Sequence, residues 1–187
     1  MTVDARREQL LDSGAELFAE RAYDDVSLDE IAEFCGVSRG LLYHYFDGKR
    51  DFYVATVRRA SERLRDAEPD PALDPPEQLL SGLRSYFDAV GANSAAYVTL
   101  LGAAAGDPEL AVIIDERRRA FAARVVAALP PEEAASPLVV TTARAWIGAV
   151  EAATLDWVER PGVSSEDLIA VLAESLRAGL AAAAERR

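Results

Sequence analysis

The chain has 187 residues, half of them apolar, and a formal net charge of -12. This length and apolar share allow a real core, either in one globular unit or in a small domain joined to a larger one, and they exclude disorder as the default. Such acidity excludes coating of nucleic acid by bulk charge, because phosphates need a positive surface facing them, but it leaves room for a small positive face. Cys35 and His44 are each the only residue of their type, so there is no internal disulfide, and no metal or other cofactor is expected. No charged-then-apolar leader precedes Asp4. The most hydrophobic stretches, Leu100–Gly106 and Ala178–Ala184, fall far short of the roughly 20 residues that span a bilayer. The expectation is a cytoplasmic protein with no membrane partner.

Helix punctuation runs from end to end, with no alternating strand pattern of useful length. The first helix is predicted over about Asp4–Ala22, where Leu11, Ala15, Phe18 and Ala22 draw one apolar stripe. Ser27-Leu-Asp-Glu30 has the form of a capping box opening a short helix with Ile31 and Ala32 on its inner side, and Gly36 stops it. Ser38 caps a third helix ending near Phe46, and a fourth runs over about 49–67. The stretch DAEPDPALDPP, Asp66–Pro76, is the richest in proline and marks a junction. Beyond it, Asp107-Pro108 and Ser136-Pro137 place a capping side chain before a proline at the first helical position, and Ser164 with Asp167 forms another box. Five more helices follow at about 76–91, 94–105, 108–129, 137–159 and 165–183.

Residues 35–50, CGVSRGLLYHYFDGKR, set Arg39, His44, Lys49 and Arg50 against the single acid Asp47. Two short helices joined by a tight turn at Gly36 describe a helix-turn-helix, whose second helix enters the major groove of DNA. Ser38, Arg39, Gly40 and Leu41 would then face the bases. Arg39 can pair with guanine or bind a phosphate. Gly40 costs about 1 kcal/mol of helix propensity, which points to close approach. Tyr43, His44 and Tyr45 offer donors to phosphate oxygens, and Lys49 stands at the next helix N-terminus, where anions are favoured.

The run AELFAERAYDDVSLDEIAEFCGVSRGLLYHYFDGKRDFY, with Ser27, Ile31-Ala32, Gly36-Val37-Ser38, Gly40, Tyr43, Phe46 and Lys49 at fixed spacing, resembles the TetR (tetracycline-repressor-like) family of bacterial transcription regulators. The resemblance covers about residues 10–52. It implies a dimer with an N-terminal DNA-binding domain and a larger helical effector-binding domain, usually a repressor. It also implies DNA contacts at Ser27, Ser38, Arg39, Gly40, Tyr43, Tyr45 and Lys49, and a switch in which a pocket ligand tilts the fourth helix. The order His44-Tyr45 reverses the frequent one, so which ring reaches the phosphate stays open. Tyr43 and Phe46 can alternatively be core aromatics that lock the third helix. Cys35, where alanine is usual, reads as a small buried hydrophobe.

Val139, Thr142, Trp146, Ala149, Val150, Ala153 and Trp157 form one stripe on the next-to-last helix. Leu168, Leu172, Ser175, Leu176, Gly179 and Leu180 form another on the last. The resemblance assigns these two helices to a four-helix homodimer interface, with Ala149, Val150, Ala153, Trp157, Leu168, Leu172, Leu176 and Gly179 as contacts. Tyr86, Phe87, Tyr97, Leu100, Leu101, Phe121 and Trp146 suit the wall of a cavity for a hydrophobic small molecule and suit an ordinary core equally. Arg117, Arg118 and Arg119 step by about 100° each around their helix. Arg118 falls on the stripe of Ile114, Phe121 and Val125, where it needs an acidic partner or an anionic ligand, the salt bridge being favoured.

The expected fold is all-α, of about nine helices. Residues 1–48 are expected to form the helix-turn-helix domain, and 49–187 a ligand-binding and dimerisation domain that includes a connecting helix at 49–67 and a proline-rich loop at 68–76. The expected function is a dimeric repressor that binds double-stranded DNA at a palindromic operator and is released by an unknown hydrophobic effector. The alternative is a helical dimer of the same fold working through protein partners, against which Arg39, Lys49 and Arg50 speak. No catalytic residue stands out, since one histidine, one cysteine and no glycine-rich phosphate loop leave little chemistry to propose.

Overall fold

Local capping chemistry sets the helix ends. In the computed structural model, which describes residues 3–65, 72–104, 106–160 and 162–186 (65, 100, 103 and 104 by backbone alone), ten α-helices succeed one another and the described residues contain no strand. They are α1 (Val3–Glu20), α2 (Leu28–Phe34), α3 (Arg39–Tyr45), α4 (Lys49–Arg65), α5 (Pro75–Ala92), α6 (Ser94–Ala104), α7 (Pro108–Ala127), α8 (Pro131–Ala134), α9 (Pro137–Glu159) and α10 (Ser165–Ala184). The short α8 brings the expected nine to ten. Of the proline-rich junction, residues 66–71 lie outside those described.

Both halves of the first capping box are formed: Ser27 Oγ accepts from Glu30 N at 3.2 Å, and Ser27 N donates to Glu30 Oε2 at 2.8 Å. At the other end of α2, Val37 N bonds Ala32 O at 2.9 Å and Gly36 N bonds Glu33 O at 3.0 Å. That pair of bonds is a Schellman closure, and it requires the left-handed φ of +64° that Gly36 adopts. Asp107 Oδ1 accepts from the amides of Glu109 and Leu110 at 3.0 and 3.3 Å. Two expectations need correcting. Ser136 makes no side-chain cap, and the proline at the first turn alone opens α9. Ser164 accepts from Asp167 N, but no reciprocal bond completes a box.

The chain divides into two compact units. One gathers the described residues up to Arg63 together with Asn93–Ile114, and the other holds Leu64–Ala92 with the residues from Asp115 onward. Contact therefore groups α4 as far as Arg63, and α6, with the N-terminal helices, whereas the motif alone suggests a division at 48. The reason is visible in α4, where Phe52, Tyr53, Thr56 and Val57 are buried. Phe52 meets Phe46 edge-on with centroids 5.0 Å apart, and Tyr53 meets Phe18 at 4.7 Å. A Cβ on Gly14 of α1 would lie 2.6 Å from Phe52 Cζ, so only glycine lets α1 and α4 approach this closely. The stripe on α1 is carried by Leu10, Leu11, Gly14, Leu17 and Phe18. Ala22, expected on it, lies exposed beyond the helix end.

In the second unit, α10 packs along α9 and also against α5. Trp146 Nε1 donates to Leu172 O at 2.9 Å, Gly179 brings α10 within 3.2 Å of the Thr142 methyl for an added Cβ, and Phe87 of α5 stacks edge-on against Trp157 at 5.2 Å. The helix α9 is long and apolar enough by length and composition to cross a membrane, a property the shorter stretches singled out from sequence do not show. Its residues Val139, Ala143, Trp146, Ile147, Val150 and Thr154 are buried inside the protein.

Candidate functional site

The surface of α2 and α3 carries the residues expected to meet DNA. Ser27, Ser38, Arg39, Gly40, Tyr43 and His44 are exposed, and Leu41, Tyr45 and Lys49 are partly so. Leu42 and Phe46 point inward, at 1% and 2% exposure, and anchor α3 on the core. Tyr43 is 47% exposed, so of the two aromatics only Phe46 is a core residue. A Cβ on Gly40 would meet nothing nearer than Ser38 Oγ at 4.0 Å, so no neighbour in the fold demands glycine there.

Each cation in this region has a local partner that holds it in place. Arg39 lies 3.1 Å from Asp29, donates to Tyr43 Oη at 3.4 Å and lies over the Tyr43 ring, 5.5 Å from its centre. The Tyr43 hydrogen bond first, and then the charge of Asp29, raise its already high pKa. Lys49 Nζ sits 4.1 Å from the centre of the Tyr23 ring. Arg50 differs from the other two. It grips Asp107 through both terminal nitrogens and Glu109 through Nη2 at 2.8 Å, which raises its own pKa and lowers that of Asp107. Arg50, grouped with the DNA-facing bases on sequence grounds, is instead tied to the start of α7. Cys35 is half-buried, its thiol pushed up to about 11 by burial, so at neutral pH it stays protonated and poorly nucleophilic.

The second unit contains a cavity of about 150 Å³ lined from α5, α7 and α9, with Leu64 at the end of α4 also on its wall. Tyr86, Phe121 and Trp146 line it as expected. Phe87, Tyr97 and Leu101 do not: Phe87 is committed to Trp157, and Tyr97 belongs to the first unit. The side chain of Leu100 lies outside the described residues. The arginine assignment also shifts by one position. Arg117 is the buried one, its side chain 2% exposed, and it lines the cavity, while Arg118 is 45% exposed and does not. Both share Glu151, which accepts from Arg117 Nη2 at 2.6 Å and from Arg118 Nε at 2.7 Å. The expected acidic partner exists, then, and Glu151 is the residue the sequence reading missed. Its signal was a lone acid in the apolar run WIGAVEAATL of α9.

Of the residues expected in the dimer interface, Val150, Leu172 and Leu176 are buried within this chain, where α10 packs on both α9 and α5 and Val150 also lines the cavity. Ala149 is exposed, and Ala153, Trp157, Leu168 and Gly179 are partly so. Among the described residues no group of three His, Cys, Asp or Glu side chains is placed to hold a metal ion.

Residues 75–179 match the family described as tetracyclin repressor-like, C-terminal domain, and residues 10–56 match bacterial regulatory proteins, tetR family. The chain belongs to the TetR family. It is a TetR-family transcriptional regulator with a DNA-binding helix-turn-helix, and members of this family are generally transcription factors rather than enzymes. Among solved structures, a TetR-family regulator from Streptomyces coelicolor is 31% identical with a TM-score of 0.81, over 100% of this chain and 85% of that one. The transcriptional activator FasR of Mycolicibacterium smegmatis is 32% identical over 97 residues, which are 50% of this chain and 44% of FasR. A transcriptional repressor of Mycobacterium tuberculosis is 37% identical over 60 residues, 32% of each chain. The chain thus matches less than half the length of these two relatives.

Proposed function

We propose that this regulator works as a homodimer on a palindromic operator, represses transcription there, and is released when a small, largely apolar effector fills the α5–α7–α9 cavity. The observation that carries the reading is the surface of α3. Every residue expected to touch DNA lies at least partly exposed on a helix-turn-helix capped at both ends of α2, and the one glycine in that surface, Gly40, is not required by any packing inside the protein. A bare backbone there lets α3 approach base edges closely. The two relatives act in opposite directions, as an activator and a repressor. The family resemblance and the cavity favour release.

The faces of α9 and α10 turned away from each other support the dimer. They expose Ala145, Gly148, Ala149 and Ala152 on α9, and Ala170, Val171 and Ala178 on α10. Small residues allow two such helix pairs to meet at close range, and a dimer would present two α3 helices to half-sites about 34 Å apart or a multiple of that. Effector and operator then weaken each other's binding by one and the same coupling free energy.

The test is selection of random duplex DNA by the purified protein, with Arg39→Ala/Lys49→Ala and Gly40→Ala variants beside it at physiological salt. The expected result is an enriched palindrome with the parent protein, none with the double variant, and weakened enrichment with Gly40→Ala despite a fold at least as stable. Failure of the parent protein to enrich any sequence would overturn operator binding and turn attention to protein partners.

A further inference from the structure

We infer that Arg39 reads a guanine in each half-site rather than a phosphate, and that Asp29, helped by Tyr43, is the positioning residue that decides this. The inference deepens the operator reading and rests on it. Arg39 is the first residue of α3, at the end of the helix whose residues meet base edges. By its chemistry alone a guanidinium pairs with either acceptor.

Two neighbours hold this guanidinium. Asp29, in the first turn of α2, lies 3.1 Å from Arg39 Nη1 through Oδ1 and accepts from the same nitrogen through Oδ2 at 3.2 Å. Tyr43, one turn along α3, accepts from Nη2 at 3.4 Å, and its ring centre is 5.5 Å from the guanidinium carbon. An arginine held from two sides gives up less rotamer freedom on meeting DNA than a loose one. The two bonds use two of its five N–H donors, and O6 and N7 of guanine need two more.

The carboxylate also disfavours a phosphate. The Arg39 and Asp29 side chains are 57% and 67% exposed, so the acid stands on the surface beside the arginine rather than beneath it. A phosphate bound by the same guanidinium would lie no farther from Asp29 than about the Debye length at physiological salt, roughly 8 Å, and the like charges would repel. The guanine edge is a neutral pair of acceptors and brings no such charge. An acid on this face therefore weakens docking on any duplex, and the loss is offset only where Arg39 finds a base edge that takes its free donors.

The test is competition binding at physiological salt with the full-length parent, Asp29→Asn, Arg39→Ala and the double variant. The duplexes are the enriched operator, copies in which each guanine of one half-site is replaced in turn by adenine, and an unrelated sequence. With the parent, replacing one particular guanine should weaken binding by about 5- to 150-fold, the range of a bidentate base contact. Arg39→Ala should erase that penalty and leave the others. Asp29→Asn should tighten binding to unrelated duplex, steepen its salt dependence and shrink the penalty at the same guanine by about threefold or more. In the Arg39→Ala background it should no longer alter base preference. A merely structural role of Asp29 would shift all duplexes alike and leave the penalty intact. An unchanged penalty in Asp29→Asn would overturn the inference while operator binding stands. So would an Arg39→Ala variant that weakens operator and unrelated duplex by the same factor, as loss of a phosphate contact does. A parent protein that enriches no sequence overturns both readings.

Discussion

Replacing Glu151 by glutamine should be among the most damaging conservative changes in the second unit. The carboxylate is 8% exposed and neutralises Arg117, whose side chain is 2% exposed. Removing its charge leaves a buried guanidinium without a counter-ion, which typically costs about 3–5 kcal/mol. The two arginines should then respond unequally although both touch Glu151. Arg118→Met gives up an ion pair on a half-exposed side chain, and such pairs contribute about 0–1 kcal/mol. Arg117→Met strips the buried partner and should cost more than Arg118→Met. Changing both buried charges together, as Arg117→Met/Glu151→Leu, should recover most of the loss, because neither desolvated ion remains. Urea unfolding followed by tryptophan fluorescence reads all four variants, since Trp146 lies beside the pair on the cavity wall. Equal costs for Arg117→Met and Arg118→Met, or a Glu151→Gln variant within about 1 kcal/mol of the parent, would refute this account of the charge cluster.

Three further outcomes concern the first unit. Gly14→Ala should destabilise, because its Cβ would fall 2.6 Å from Phe52 Cζ and 2.7 Å from Thr56 Oγ1; overpacking costs of about 1–3 kcal/mol outweigh the gain of about 1 kcal/mol in helix propensity. Gly40→Ala, with open space around its Cβ, should show that gain unopposed, and a thermal melt that ranks Gly14→Ala above Gly40→Ala would sink the argument. The Glu30 carboxyl is held at about 2, against an ordinary 4.5, by the hydrogen bonds to Ser27 and then by Arg21. Its contribution is therefore complete above pH 4.5 and lost as pH falls toward 2, because the unfolded chain takes up the proton first. Glu30→Gln should be less stable than the parent at pH 7, with the gap closing between pH 4.5 and 2. A gap that stays constant across that range would show that the capping carboxylate does not carry the effect.

The helix ends were legible because capping is a short-range matter. Ser27, Gly36, Ser38 and Asp107 bond to backbone groups within a few residues, so the chain carries the whole instruction locally. The surface of α3 was legible for a similar reason, since Leu42 and Phe46 mark its inward face and leave Arg39, Gly40 and Tyr43 on the other. Which arginine of α7 enters the core was not. Leu110, Ile113, Ile114 and Arg117 are buried on one stripe, yet an apolar arc is wider than the 100° between neighbours, so Arg118 fitted the pattern as well. Glu151 of α9 reaches both arginines, and only the packing of the folded chain encloses Arg117 and leaves Arg118 half exposed. The same holds for α9 and α10. Their apolar stripes show that each helix has a partner, but periodicity cannot tell a neighbour in the same chain from a second copy. Folding alone determined that Val150, Leu172 and Leu176 are buried within this chain, because burial depends on which helices the tertiary structure brings together.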